Sequence, residues 1–146
     1  MASLYNSEGY FSPTEYEALK RVERGERAAE KSAAFRPIVY ICSPYSHGCI
    51  NTNIENARKY SRFAVDKHYL PITPHIYFTQ FMDDTVSEER ETAVFMNFVL
   101  MSKCVELWVF GDTISAGMKA EIEHAERKHM KIRYFTEELE EKKCEI

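Results

Sequence analysis

Residues 105–129 have the sequence VELWVFGDTISAGMKAEIEHAERKH, in which an apolar run is followed by a polar loop and then by a periodic amphipathic stretch. The apolar run Val105–Phe110 predicts a buried strand, and Ala116–His129 predicts a helix, because its apolar residues recur at helical spacing. The loop Gly111–Ser115 joins the two. A strand that leads directly into a helix is the repeating unit of parallel sheets.

The same alternation of apolar runs and amphipathic stretches continues on both sides of this unit. Further strands are predicted at Pro37–Cys42, Tyr69–Thr73 and Lys131–Phe135, and further helices at Asn53–Lys67 and Glu88–Ser102. The segments between them, Ser43–Asn51 and Pro74–His75 among them, are predicted loops. We therefore expect an α/β fold of the Rossmann-like or flavodoxin-like type, an open parallel sheet flanked by helices.

Composition divides the chain into an N-terminal helical extension at 1–36, a domain at 37–136 and a charged C-terminal tail at 137–146. In the extension, Ser12–Glu15 has the pattern of a capping box with proline at the first helical position, which predicts a helix over Pro13–Ser32. Its apolar stripe is thin. We expect it to dock on the domain or on a second subunit, a solvated arm being the alternative.

Overall composition excludes several classes of function. The 146 residues include 19 Lys and Arg against 23 Asp and Glu, so the chain lacks the basic excess of a protein that binds duplex nucleic acid. No apolar run approaches the roughly 20 residues that span a bilayer, and the first residues do not resemble a signal peptide. We expect a cytoplasmic protein without membrane contact. Four scattered cysteines and five histidines without ligand spacing predict reduced thiols, no metal site and no cofactor.

Three predicted loops lie where ligands bind in open parallel sheets, beyond the carboxyl ends of the strands. They are Ser43–Gly48, the Pro74–His75 turn with Asp83–Asp84 beyond it, and Gly111–Gly117. The aspartate pair is able to hold a hydroxyl or a proton, or else forms an exposed acidic turn. We expect a ligand to contact all three loops.

The third loop carries the strongest chemical pattern. Ser115 is predicted to cap the following helix, and Gly117 leaves the amides of its first turn open to an anion. Glu121 follows on the border of the buried stripe that includes Met118 and Ile122. We expect the helix dipole to help hold this carboxylate ionised, as a nucleophile requires. The alternative is an ordinary surface glutamate.

The sequence makes less specific predictions for three aromatic residues, two in the other loops and one in a strand. His75 is predicted either to contact the ligand or to be a satisfied structural histidine, and Tyr45 either to contact the ligand or simply to pack. Trp108 stands within a continuous apolar strand and is predicted to be core.

Four segments together resemble the nucleoside 2-deoxyribosyltransferase-like superfamily. They are YICSPY at 40–45, PITPH at 71–75, LWVFG at 107–111 and SAGMKAE at 115–121. Within that superfamily the chain is most similar to a branch of uncharacterised bacterial and phage proteins. The resemblance extends over about residues 37–135.

This resemblance implies an N-glycosidase or a deoxyribosyltransferase. In the superfamily the glutamate that matches Glu121 attacks the anomeric carbon and forms a covalent glycosyl-enzyme, which water or a new base then releases. In its nucleotide hydrolases a serine that matches Ser115 helps bind the 5′-phosphate, which favours nucleotides over free nucleosides here. Relatives usually form dimers or larger assemblies, so we expect a homodimer.

The resemblance also supplies the rest of the predicted site. We expect Tyr45 to act beside Glu121 in catalysis, and Asp84, which the resemblance does not itself supply, to provide a second carboxyl group there. The residues expected to bind substrate are Ser43, Pro44, His47, Gly48, His75, Asn97, Gly111, Ser115, Gly117 and Met118.

The chain departs from the superfamily at two positions. Asn97 stands where characterised enzymes have an aspartate, and Val105 where an aspartate is frequent. An asparagine hydrogen-bonds a sugar hydroxyl but does not act as a base. The alternative function is therefore a non-catalytic nucleotide-binding protein, either a sensor or a sequestering protein for a nucleotide signal.

Overall fold

The computed structural model describes residues 13–143, apart from the side chains of 13 and 28–33. This part of the chain divides between Phe35 and Arg36 into two compact units. The first contains a single helix, α1 (Pro13–Ala34), which confirms the predicted helix and extends it by two residues. Its sequence is rich in Ala, Glu, Lys and Arg, which all favour helix. The predicted cap at Ser12 lies outside the described residues.

The second unit is an α/β fold, as predicted. Its elements are β1 (Ile38–Cys42), α2 (Ile50–Asp66), β2 (Leu70–Ile72), α3 (Pro74–Tyr77), α4 (Ser87–Met101), β3 (Glu106–Phe110), α5 (Ala116–Arg127) and β4 (Lys131–Phe135). The prediction of a loop at Pro74–His75 is wrong, because α3 begins at Pro74 and is followed by a 3₁₀ turn. Proline at the first helical position fixes φ for this turn. No helix within residues 13–143 has the length and apolar character to cross a membrane.

All four strands are parallel and lie in the order β2-β1-β3-β4. The chain moves outward from β1 to β2 in one direction and from β3 to β4 in the other. The order therefore reverses between β1 and β3, and right-handed crossovers then place the helices that follow these two strands on opposite faces. Such a reversal is the switch point at which open α/β sheets bind ligands.

Two apolar clusters cover the two faces of the sheet. One joins alternate residues of β1 and β3, Val39 and Trp108 among them, to Tyr60 and Ala64 of α2. The other joins the intervening residues, such as Tyr40, to α4 and α5. Because both faces are covered, the central strands are continuously apolar. Trp108 is 1% exposed, which confirms it as core.

The segment that follows β4 folds back on the sheet. The backbone N–H of Lys142 donates to the Tyr134 carbonyl at 2.7 Å, and the Arg133 guanidinium makes two hydrogen bonds, of 2.9 and 2.8 Å, to the Glu141 carboxylate. The Lys142 ammonium also donates to the Gly111 carbonyl at 3.0 Å. The first residues of the predicted tail therefore help to hold the loop that precedes α5.

Candidate active site

A cavity of about 320 Å³ opens at the carboxyl ends of the strands, next to the switch point. Its walls come from the loop after β1, from α3 and from the facing sides of α4 and α5. Predicted site residues that line it are Ser43, Tyr45, His47, His75, Asp84, Asn97, Ser115, Gly117, Met118 and Glu121. The structure thus brings the three predicted loops together around one space.

Three predicted residues do not line this cavity. Pro44 and Gly111 border a separate space of about 20 Å³, and Gly48 borders neither. Gly48 and Gly111 have φ angles of +82° and +92°, a backbone conformation that favours glycine. Their role in this structure is to turn the two loops and not to contact a ligand in the cavity.

Glu121 lies on α5 with its carboxyl group buried in the cavity. Burial raises the pKa of this carboxyl to about 7, although hydrogen bonds with Tyr40 and Cys42 act to lower it. The helix dipole was expected to favour the carboxylate, but it does not outweigh burial. Its field fades within the first turn of the helix, and Glu121 is the sixth residue of α5. At neutral pH the carboxyl group is therefore poised between its acid and its carboxylate.

The periodicity of α5 explains this position. Met118, Ile122 and Ala125 are buried against the sheet and Glu123 is exposed, so Glu121 lies on the border of the buried stripe as predicted. Ser115 is the N-cap, and its Oγ accepts from the Met118 amide at 3.3 Å, which confirms the predicted cap.

Asn97 lies on the α4 side of the same cavity. Its Oδ1 and the Oε2 of Glu121 are the buried side-chain oxygens without a hydrogen-bond partner in the described part of the chain. A buried acceptor that stays unpaired costs about 1–3 kcal/mol. The cavity therefore presents two buried acceptors to any hydrogen-bond donor that enters it. We call this pair, Asn97 and Glu121, the cavity floor.

His75 and Ser43 form a hydrogen-bonded pair in the cavity wall. The His75 Nε2 and the Ser43 Oγ are 2.9 Å apart, and burial lowers the pKa of His75 to about 4. The imidazole is therefore neutral at pH 7. The Tyr45 ring stands edge-on to it, with the ring centroids 6.5 Å apart. His75 thus offers a neutral hydrogen-bonding group and no charge.

Asn53, in the first turn of α2, holds the loop after β1 in place. Its side-chain amide donates to the carbonyls of Tyr45 and His47, both at 2.7 Å. The sequence analysis did not identify this role. The available signal was an asparagine at the start of a helix that follows a loop, a position from which its side chain often binds nearby backbone.

The cavity also contains residues that were not predicted, above all Arg90 of α4. Arg90 precedes Asn97 by seven residues, or two helical turns, and this spacing was the available signal. Of the predicted aspartate pair, Asp84 lines the cavity. Asp83 instead accepts hydrogen bonds from the Thr85 amide and hydroxyl, at 3.0 and 2.6 Å.

Tyr40→Phe is expected to raise the pKa of Glu121 above that of the wild type, because it removes a hydrogen bond that favours the carboxylate. A carboxyl-detected NMR titration measures this pKa. Tyr60→Phe is the matched control, since Tyr60 belongs to the cluster on the opposite face of the sheet. An unchanged Glu121 pKa in Tyr40→Phe would contradict the assigned contact.

The fold and the cavity together define an α/β protein with a ligand-sized site at the switch point of a parallel sheet. The chain belongs to the family described as Domain of unknown function (DUF7768), whose model matches residues 37–135. This match covers the four strands and the whole of the cavity lining. A comparison with curated proteins gave no match.

Proposed function

We propose that this protein cleaves or exchanges the N-glycosidic bond of a nucleotide or nucleoside, with Glu121 as the nucleophile. The observation that carries the proposal is the Glu121 carboxyl group, which is buried in the cavity with one oxygen unpaired. The resemblance of residues 115–121 to the deoxyribosyltransferase-like superfamily supports the same assignment.

The proposed reaction has two steps. A Glu121 oxygen attacks the anomeric carbon, the bond from that carbon to the base nitrogen breaks, and the base leaves with the electron pair and takes up a proton. Water, or a second base, then attacks the same carbon and gives up a proton, the bond from that carbon to the Glu121 oxygen breaks, and the carboxylate is released. Asp84 lines the cavity and carries a carboxyl group suited to these proton transfers.

The cavity walls suit the base as well as the sugar. A volume of about 320 Å³ lies within the usual range of small-molecule sites. Phe78, Val94 and Phe98 supply apolar surface against which a planar base packs. Ser43 and His75 supply neutral polar groups for its edge, and Tyr45 stands next to them.

A non-catalytic nucleotide-binding protein is the second candidate, and Asn97 is the observation that favours it. Its buried Oδ1 accepts a hydrogen bond from a sugar hydroxyl but transfers no proton. Such a protein would use the same cavity as a sensor or for sequestration.

The test is to incubate the protein with a panel of ribo- and deoxyribonucleotides and their nucleosides, and to measure free base by chromatography. Base release from at least one compound is expected. Binding without release, measured by calorimetry, would favour the non-catalytic candidate. Neither binding nor release across the panel would contradict both.

The predicted homodimer stays a prediction, as does the docking of α1. Apolar side chains of α4 that face away from the cavity support the dimer, because Phe95 is 68% and Val99 47% exposed. Contiguous exposed apolar surface of this kind is typical of protein interfaces.

A further inference from the structure

The chain leaves β3 at Gly111, and both backbone groups of this residue are held. Its N–H donates to the Phe135 carbonyl at 3.0 Å, and its carbonyl accepts from the Lys142 ammonium at 3.0 Å. Gly111 is buried, and its φ of +92° is a conformation that other residues rarely adopt. Ser115, the N-cap of α5, follows only four residues later. The orientation of Gly111 therefore directs the loop 111–115 and sets where α5 begins.

Lys142 is itself fixed by the edge strand of the sheet, β4. Its backbone N–H donates to the Tyr134 carbonyl at 2.7 Å, and the carboxylate of the preceding residue, Glu141, accepts two hydrogen bonds from the Arg133 guanidinium. The Lys142 side chain is 34% exposed. Because the backbone is already anchored, the side chain loses less conformational freedom when its ammonium binds the Gly111 carbonyl.

The same segment also reaches the other loop of the site. The Glu137 carbonyl accepts from the Lys59 ammonium of α2 at 2.6 Å. The Glu137 side chain borders the space of about 20 Å³ together with Ser43 of the loop after β1 and Thr113 of the loop before α5. We call residues 136–142 the strap, which lies beyond the residues 37–135 that the family model matches. The strap thus reaches the point at which the two loops meet.

Of the two contacts of the Lys142 ammonium, the one with Gly111 is the stronger. Its other partner, Asp112 Oδ1, lies 2.9 Å away, but the Asp112 side chain is 89% exposed. Exposed ion pairs contribute little to stability because water and salt screen them. The Gly111 carbonyl belongs to a buried residue and receives a hydrogen bond from a charged donor, which is stronger than one between neutral groups. Removal of the ammonium therefore acts mainly on Gly111.

We propose that Lys142 is a positioning residue for the candidate active site, because it fixes Gly111 and, through it, the amino end of α5. Ser115 lines the cavity at this end, and α5 carries Glu121 of the cavity floor. The consequence for base release rests on the proposed function, whereas the consequence for the loop does not. A misplacement of about 1 Å at a reacting group lowers the rate by about 10²-fold. Loss of the Lys142 contact is therefore expected to lower kcat rather than to raise KM.

The test variant is Lys142→Gln, which removes the ammonium from the strap. Hydrogen exchange followed by NMR reports on the start of α5 through the Met118 amide, which donates to Ser115 Oγ. This amide is expected to exchange at least about tenfold faster than in the wild type, because the loop opens more readily. With the best substrate of the nucleotide panel, kcat is expected to fall at least about tenfold while KM changes little. Lys142→Arg keeps the charge and the donors, so it should recover most of both losses.

Two variants and one amide serve as controls. Lys143→Gln removes the same charge from the next residue, which is exposed, and should match the wild type in exchange and in base release. Asp112→Asn removes the exposed ion pair and leaves the Gly111 contact, so both quantities should stay within about twofold of the wild type. The Ile41 amide in the centre of the sheet reports on the whole fold, and its exchange should be the same in every variant.

Four results would overturn the inference. They are Met118 exchange in Lys142→Gln equal to that of the wild type, an equal acceleration in Lys143→Gln, no recovery in Lys142→Arg, and faster exchange at Ile41 as well as at Met118, which would show a loss of stability throughout the fold. The proposed function is scored separately. Faster Met118 exchange in Lys142→Gln without base release from any of the proteins supports the inference and contradicts the proposed enzyme, whereas base release that is equal in all variants does the reverse.

Discussion

Replacing Glu121 by glutamine is expected to lower kcat/KM for base release by at least about 10³-fold, the scale seen when a covalent nucleophile is removed. Glutamine keeps the shape and the hydrogen-bonding reach of the side chain but does not form the glycosyl ester. The loss should therefore appear in kcat, while the affinity for the nucleotide changes little. A chromatographic assay of free base at saturating and at limiting substrate concentrations separates the change in kcat from the change in KM.

The matched control for this activity loss is Glu123→Gln. Glu123 is exposed on the same helix and lies outside the cavity, so this variant removes the same charge from α5 without touching the site. Its kcat/KM should equal that of the wild type. Activity of Glu121→Gln within about tenfold of the wild type would show that the nucleophile lies elsewhere.

The same Glu121→Gln variant is expected to be more stable than the wild type above pH 7. The folded pKa of about 7 lies above the ordinary 4.5, so the folded state binds a proton that the unfolded state has released between these values. The stability that Glu121 contributes to the wild type is therefore fully present below pH 4.5 and is lost as the pH rises through 7. The loss amounts to about 3 kcal/mol, since a pKa difference of one corresponds to 1.36 kcal/mol.

Urea unfolding at pH 4.5 and pH 8 measures this difference. The gain in free energy of unfolding for Glu121→Gln should be small at pH 4.5 and should reach up to about 3 kcal/mol at pH 8. The lowered pKa of His75 acts in both proteins and cancels in the comparison. A gain that is independent of pH would contradict the burial of the Glu121 carboxyl group.

Much of this architecture follows from local patterns in the sequence. The strands that become β1 and β3 are continuously apolar because both faces of the sheet are covered, and this produces a signal that needs no tertiary information. Ser115 has a side chain that caps a helix, and the spacing within α5 places Glu121 next to the buried stripe. These features depend on residues close together in the chain, so the sequence predicts them.

Other features depend on contacts between distant segments. Burial raises the pKa of Glu121, and hydrogen bonds with β1 residues about 80 positions earlier, Tyr40 and Cys42, lower it in part; no pattern within α5 reveals either effect. Arg90 lies in the cavity only because α4 packs beside α5. The α3 helix escaped prediction because four residues are too few to show a helical period.

The central claim is that Glu121 forms a covalent bond to the anomeric carbon of a sugar. The most direct test is mass spectrometry of the intact, acid-quenched protein after incubation with the 2′-fluoro analogue of its best substrate, since fluorine slows release of the glycosyl-enzyme. The account predicts a mass increase equal to the analogue without its base, which is the fluorinated sugar or its phosphate, located by peptide mapping to Glu121. Base release without an adduct, or an adduct on another residue, would contradict it.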